Sequence, residues 1–160
     1  MALTIKPLTH DTLDVLASLV VAFYDEDPSA TTMSFARARL QAEAMLRRPE
    51  RVAAMLIMEE DQIAGYALLV PYFCNEYGGE VLVVDELYVK PEFRSQGLGS
   101  TFLEYLKVWA LEQGSVRLIL EVMPENTRAL QFYQRAGFTS DGRHVLTYAL
   151  RDPEPFTGES

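Results

Sequence analysis

Apolar residues recur along this chain at two spacings, and the switches between them outline the secondary structure. Thr4–Leu8 reads as a short first strand that Pro7 stops. Leu13, Leu16, Leu19, Val20 and Phe23 form a helical stripe over Asp11–Tyr24, and Asp25-Glu26-Asp27-Pro28-Ser29 follows as a loop. A second helix, Phe35–Arg47, carries Phe35, Ala38, Ala42, Met45 and Leu46 on one face, and Pro49 ends it. Val52–Met58 and Ile63–Tyr72 are predicted strands joined by the polar turn Glu59-Glu60-Asp61-Gln62. Asn75–Glu80, with Gly78-Gly79, is the next turn.

Val81–Val89 is the most informative strand. It is apolar on both faces, with Val81, Val83, Leu87 and Val89 on one and Leu82, Val84 and Tyr88 on the other. Such a strand belongs in the middle of a sheet covered on both sides. Asp85 and Glu86 nonetheless sit inside it. Helix Thr101–Gln113, closed by Gly114, then strand Val116–Val122, helix Thr127–Ala136 with Gly137 past its end, and a last strand Val145–Leu150 complete the pattern. Residues 151–160 read as a mobile tail. The order β-α-α-β-β-β-α-β-α-β implies a mixed sheet flanked by helices, an α/β fold.

The 160 residues suit a single domain, expected over 1–150, with one sizeable core. No stretch has the length of a membrane-spanning helix, and the N-terminus lacks a basic-then-apolar leader. Cys74 stands alone, so an internal disulfide is excluded and a reducing cytoplasm is expected. One cysteine and the distant His10 and His144 argue against structural zinc, and no metal is expected. The formal charge of −9 lacks the basic footprint of a nucleic-acid binder and disfavours anionic membranes. It suits a cationic small molecule and, equally, plain solubility.

Chemistry enters at Arg94-Ser95-Gln96-Gly97-Leu98-Gly99, between the central strand and the Thr101–Gln113 helix. Successive backbone N–H groups there, with a helix N-terminus, make an anion-binding nest. Glycine lets the backbone approach a phosphate closely, and Arg94 would add a charge-assisted contact. The spacing is not that of a dinucleotide-binding loop, and the preceding strand is not the first of the chain.

The run Val83-Val84-Asp85-Glu86-Leu87-Tyr88-Val89-Lys90-Pro91-Glu92-Phe93-Arg94-Ser95-Gln96-Gly97-Leu98-Gly99 resembles the GNAT superfamily of acetyltransferases. The resemblance resumes at Glu121-Val122, Asn126, Ala129, Phe132-Tyr133 and Gly137-Phe138, and extends from Leu3 to about Leu150. It implies a GNAT fold with six to seven strands and a splayed strand pair at an acetyl-CoA site. Arg94, Ser95, Gln96, Gly97, Leu98, Gly99 and Ser100 would hold the CoA pyrophosphate. Leu87, Tyr88 and Val89 would pair with the pantetheine arm as a further strand would. Asn126 would touch that arm, and Tyr133 falls where many members keep a tyrosine near the thiol sulfur. Ser95 replaces a frequent glycine, at little cost if its φ is negative.

The implied reaction is transfer of an acetyl group to a primary amine by direct attack. An amine of pKa near 10.4 is protonated at pH 7, and exposing its lone pair costs roughly 4–5 kcal/mol. A carboxylate can accept that proton. Asp85 is the first candidate by resemblance to polyamine acetyltransferases, and Glu86 the second. Strict alternation puts the two on opposite faces. Either could equally be a structural ion-pair member. Tyr133 could donate to the departing thiolate, and a backbone N–H of Val89 or Leu87 could polarise the thioester carbonyl. Tyr24, Asp27, Tyr72, Glu76 and Glu121 are candidate acceptor contacts, because acid and aromatic groups together suit an ammonium. A polyamine-like amine is the expected partner, with a second copy of the chain as the expected assembly. A protein lysine or N-terminus as acceptor, or a non-catalytic acyl-CoA-binding module, are the alternatives.

Overall fold

The computed structural model describes residues 2–27 and 31–152. Its elements are β1 (Leu3–Pro7), α1 (Leu13–Asp25), α2 (Phe35–Arg47), β2 (Ala53–Glu59), β3 (Gln62–Cys74), β4 (Gly79–Val89), α3 (Leu98–Glu112), β5 (Ser115–Leu120) and α4 (Thr127–Arg135). Short 3-10 turns at His10–Thr12 and Pro91–Phe93 precede α1 and α3. The described residues up to Leu120 form one compact unit and those from Glu121 on form a second. No described helix is long and apolar enough to cross a membrane.

The first unit is a five-stranded sheet in chain order, antiparallel from β1 to β4 and parallel between β4 and β5. The reversal follows from connection length. Hairpins join β2 to β3 and β3 to β4, whereas α3 carries the chain from β4 to β5, and only such a crossover permits a parallel pair. The stripes predicted for α1 and α2 are buried: Leu13, Leu16, Leu19 and Val20 of α1 with Ala38 and Ala42 of α2 pack on Leu56, Tyr66, Leu68 and Tyr88. The alternate residues Ile57, Ala67 and Leu69 are also fully buried and point to the other face. The crossover helix α3 buries Phe102, Leu103 and Leu106 completely. Ser34 caps α2 by accepting the Arg37 N–H at 3.1 Å, which fixes where that helix starts.

Register shifts interrupt three ladders, and the two that involve β3 are bulges of one residue in the antiparallel part of the sheet. Between β2 and β3, Ile57 faces Gly65 and Met58 faces Ile63, so Ala64 is extra. Between β3 and β4, Leu68 faces Glu86 and Leu69 faces Val84, so Asp85 is extra. The second bulge corrects the sequence reading of β4. Directly opposed residues share a face, so Val84 goes with Leu69 and Glu86 with Leu68, on opposite sides of the sheet. Unbroken alternation would have put Val84 and Glu86 together.

The expected strand Val145–Leu150 is absent, and the sheet has five strands among the described residues rather than six to seven. A strand exists only through its ladder partner. This segment has none, and Leu146, Tyr148 and Leu150 are 87–91% exposed. The tail expected over 151–160 lies outside the described residues from 153 onward. The other predicted elements appear with shifted ends; most consequentially, α3 begins at Leu98, directly after Gly97.

At Gly65 the backbones of β3 and β4 come together so closely that a Cβ would stand 2.0 Å from the Tyr88 carbonyl oxygen. Neither backbone can yield without disturbing the ladder. Gly65→Ala is therefore expected to cost about 1–3 kcal/mol, seen as a Tm several degrees lower in thermal unfolding. An unchanged Tm would show that the two strands are looser here.

Candidate functional site

The site grows from the second half of β4. The parallel ladder with β5 ends at the Val84–Leu120 pair, while pairing with β3 continues to Val89. One edge of residues 85–89 therefore has no strand partner among the described residues. The direction of the backbone groups follows from two observations. The Lys90 N–H donates to the Ala64 carbonyl at 2.8 Å, and the Tyr88 carbonyl abuts Gly65, so residues of this parity point toward β3. Leu87 and Val89 then turn their N–H and C=O groups to the open edge. The Val89 carbonyl is taken there by Arg94 Nε at 2.8 Å, which leaves the two N–H groups and the Leu87 carbonyl. This is the splay that the resemblance implied.

The loop that follows has the backbone of an anion nest. Ser95 has φ +63° and Gly97 has φ +81°, and α3 starts immediately after. Gly97 is the N-cap of α3 and makes no side-chain cap bond, so the first-turn N–H groups of Leu98, Gly99 and Ser100 have no capping acceptor. An anion of pyrophosphate size fits this arrangement chemically, because donors and the positive end of the helix dipole converge without a side chain in the way. Ser95 corrects an expectation. It adopts the left-handed conformation that favours glycine, rather than negative φ, at a cost of about 1–2 kcal/mol.

Arg94 is held by protein groups. Its Nη2 donates to both carboxylate oxygens of Glu26, at 2.8 and 2.7 Å, while its Nε holds Val89. Its guanidinium carbon lies 5.5 Å from the centre of the Tyr88 ring. The side chain is thus engaged by protein groups on three sides. Glu26, read from the sequence as part of the loop after the first helix, is the partner of this arginine.

The two carboxylates of β4 differ in surroundings. Glu86 accepts the Tyr24 hydroxyl on Oε2 and the Tyr66 hydroxyl on Oε1, both at 2.7 Å. Burial raises its pKa, the two phenols oppose that rise, and the Asp85 charge adds to it. Burial and the Glu86 charge push both tyrosines well above the usual phenol range, so they stay protonated and donate. Asp85 sits on the bulge as an exposed residue, and the partial desolvation of its carboxyl raises its pKa. No donor reaches its carboxyl among the described residues. Its charge acts on both Glu86 and Tyr24, so the two carboxylates share one electrostatic environment instead of being separated by the sheet. Glu86 and Tyr24 line a cavity of about 40 Å³ with Leu16, Val20, Met33 and Met45. Phe23, Tyr24, Tyr66 and Tyr88 form the aromatic wall behind it, with Phe23 5.4–6.2 Å from each of the other three rings.

The remaining sequence candidates are scattered. Asp27 is exposed just past α1. Tyr72 pairs with Val81 and Glu76 lies in the β3–β4 turn, so both belong to the far end of that hairpin. Four residues separate Tyr72 from Leu68, the partner of Glu86, which is about 13 Å along a strand. Asn126, Tyr133 and Glu121 belong to the second unit. The Asn126 side chain caps α4 by accepting the Ala129 N–H at 3.1 Å, a structural role beside the expected one. Tyr133 packs its ring against Phe132 and Phe138 at 5.1 and 5.7 Å, and burial raises its pKa. Sequence reasoning missed Tyr66, which carried no signal beyond an aromatic in an apolar strand. It also missed the pairing of Glu26 with Arg94, which joins residues 68 positions apart.

A mixed sheet with a parallel pair opening beside a phosphate-type loop defines an α/β transferase-like scaffold. The acetyltransferase (GNAT) family model matches residues 16–138, and this chain belongs to that family. An uncharacterized N-acetyltransferase of Bacillus subtilis strain 168, YhfO, is 30% identical over 115 residues, 70% of this chain and 76% of that protein. The thialysine N-epsilon-acetyltransferase of Bos taurus is 36% identical over 76 residues, 47% of this chain. The match takes in 44% of the cattle protein, less than half its length. Among solved structures, an integron cassette protein from the mobile metagenome of Cole Harbour Salt Marsh superimposes with TM-score 0.79 at 30% identity, covering 93% of this chain and 91% of that one.

Ser100 offers a clean test of the nest. It is exposed in the first turn of α3, where an acidic residue favours the helix by about 0.3–1 kcal/mol. The same charge would repel a bound pyrophosphate. Ser100→Glu is expected to keep or slightly raise Tm while weakening CoA affinity at least about tenfold, a loss of about 1.4 kcal/mol. Equal affinity by calorimetry would place the phosphates elsewhere.

Proposed function

We propose that this protein is an acetyl-CoA-dependent N-acetyltransferase that acetylates a small cationic primary amine. The observation that carries the reading is the position of two carboxylates, Asp85 and Glu86, at the point where β4 loses its β5 partner. Acetyl-CoA supplies the activated acyl group. Leu87 and Val89 offer backbone N–H groups to the pantetheine arm and the thioester oxygen, and residues 95–100 hold the pyrophosphate.

The two carboxylates divide the work. Glu86 is fixed by Tyr24 and Tyr66 and is best suited to hold an ammonium, because two donors keep it anionic and oriented. Asp85 is raised above the ordinary aspartate range by partial burial and has no donor holding it among the described residues, which leaves its carboxylate available to accept the proton of the amine. Tyr133 is the proposed donor to the departing thiolate, because its phenol stays protonated throughout the neutral range. The apolar lining from Met33, Met45, Leu16 and Val20 beside Glu86 suits the carbon next to an ammonium, and at about 40 Å³ the cavity would have to widen to admit more of the chain. The name of the cattle relative specifies the ε-nitrogen of an amino acid, which is an amine of this kind. A cytoplasmic location, expected from the lone cysteine, and a homodimer complete the proposal.

Release of CoA thiol in the presence of a panel of spermidine, lysine analogues, glutamate and neutral amino sugars tests the reading. Cationic acceptors should lead, and CoA binding without turnover on any amine would make the protein a binding module. Asp85→Asn should lower kcat about 10²–10⁴-fold near neutral pH. The loss should shrink as pH rises, because more of the amine is then neutral without help. The wild-type rate should fall toward acid as Asp85 gains its proton, at a pH above the ordinary aspartate range. Glu86→Gln should act mainly on KM for the amine, and Tyr133→Phe on kcat. A greater, pH-rescued kcat loss in Glu86→Gln than in Asp85→Asn would exchange the two roles.

A further inference from the structure

Glu26 stands at the end of α1, where its N–H donates to the Phe23 carbonyl and the next N–H, of Asp27, donates to the Tyr24 carbonyl, so the helix end fixes its backbone. Phe23, three residues earlier, is wedged among Tyr24, Tyr66 and Tyr88. From this anchored turn the Glu26 carboxylate reaches Arg94, whose Nη2 lies 2.8 and 2.7 Å from its two oxygens. The Tyr88 hydroxyl lies 3.4 Å from Oε1 and donates to the same carboxylate. Arg94 in turn grips the Val89 carbonyl. The next residue, Ser95, has a left-handed backbone that L side chains disfavour. Strained residues of this sort persist only where their surroundings hold them. On one side of Ser95 the holding groups are these contacts to Arg94. On the other side Gln96 is tied back through its Nε2 to the Glu92 carbonyl at 3.0 Å.

We propose that Glu26 is a positioning residue for the phosphate loop. It holds Arg94 against β4 so that the strained turn at Ser95 presents the N–H groups of residues 96–100 to an anion. The inference rests on the acetyl-CoA reading of that loop. It gives Arg94 a structural task and leaves binding of the pyrophosphate to backbone N–H groups. It also gives α1 two tasks in its last turn, because Tyr24 holds Glu86 while Glu26 holds Arg94. The opposite arrangement would have Glu26 compete with the pyrophosphate for a guanidinium that binds phosphate directly. The two arrangements predict opposite signs.

Glu26 is 42% exposed at its side chain, so Glu26→Gln should leave the fold intact, with Tm as the check. Acetyl-CoA affinity by calorimetry should fall about five- to tenfold, with kcat at saturating acetyl-CoA within about twofold of wild type and KM for acetyl-CoA raised in step. Arg94→Gln should weaken binding similarly, and the double variant should be little worse than either single one. Exchange of the 94–100 amides with deuterium should quicken in Glu26→Gln without ligand. Tighter binding in Glu26→Gln would overturn the proposal in favour of competition. Unchanged binding, or fully additive losses in the double variant, would also overturn it. A wild-type protein that does not bind acetyl-CoA at all would instead remove the reading on which the proposal rests.

Discussion

Beyond Val84 the central strand keeps a strand partner on one side only among the described residues, and the open edge that results is the constraint around which the site is arranged. Backbone N–H and C=O groups that lose both water and partners cost about as much as a lost hydrogen bond each. In the proposed function, the N–H groups of Leu87 and Val89 are the slot along which the pantetheine arm of CoA lies as a further extended chain. The other features of the site lie around that slot. The bulge at Asp85 occurs at the point where β5 leaves. The loop after Val89 turns directly into the N-terminus of α3. Arg94 closes the slot at its far end by taking the Val89 carbonyl.

A pair of acids beside this slot needs compensation, because burial disfavours both charges and the Asp85 charge further disfavours that of Glu86. The structure treats them unequally. Two tyrosines from different elements, Tyr24 on α1 and Tyr66 on β3, stabilise Glu86 as an anion. Asp85 has no such donors among the described residues, and partial burial raises its pKa. Environments that push two titratable groups apart are how one site can hold a cation and also deprotonate it. Tyr24 thereby has a packing role, a hydrogen-bonding role and a place on the cavity wall at once.

Much of this was legible in the sequence, and the parts that were not have physical causes. Period-2 and period-3.6 stripes are local, so β2, β3, α1 and α2 were readable from their own residues. The glycine loop was readable because Gly97 meets a backbone need that few other residues meet, a left-handed N-cap. The Asp85 bulge was not readable, since one extra residue in a strand leaves no mark until its partner is known. That single slip reversed the face of Val84 and brought Asp85 and Glu86 into one environment. The strand expected at Val145–Leu150 had the right composition and no ladder. Ser95 was read by its family position, and its positive φ shows that a serine can occupy a glycine conformation when its neighbours are held. The Glu26–Arg94 and Tyr66–Glu86 contacts depend on tertiary proximity alone.

The slot itself can be observed residue by residue. Amide resonances or exchange rates of β4, followed as acetyl-CoA is added, report directly on whether a ligand backbone pairs with it. The account predicts new protection and large shifts at the Leu87 and Val89 amides, with Leu82 and Val84, already paired to β5, nearly unchanged. Acetyl-CoA bound at full occupancy with the Leu87 and Val89 amides exchanging as in the free protein would contradict it.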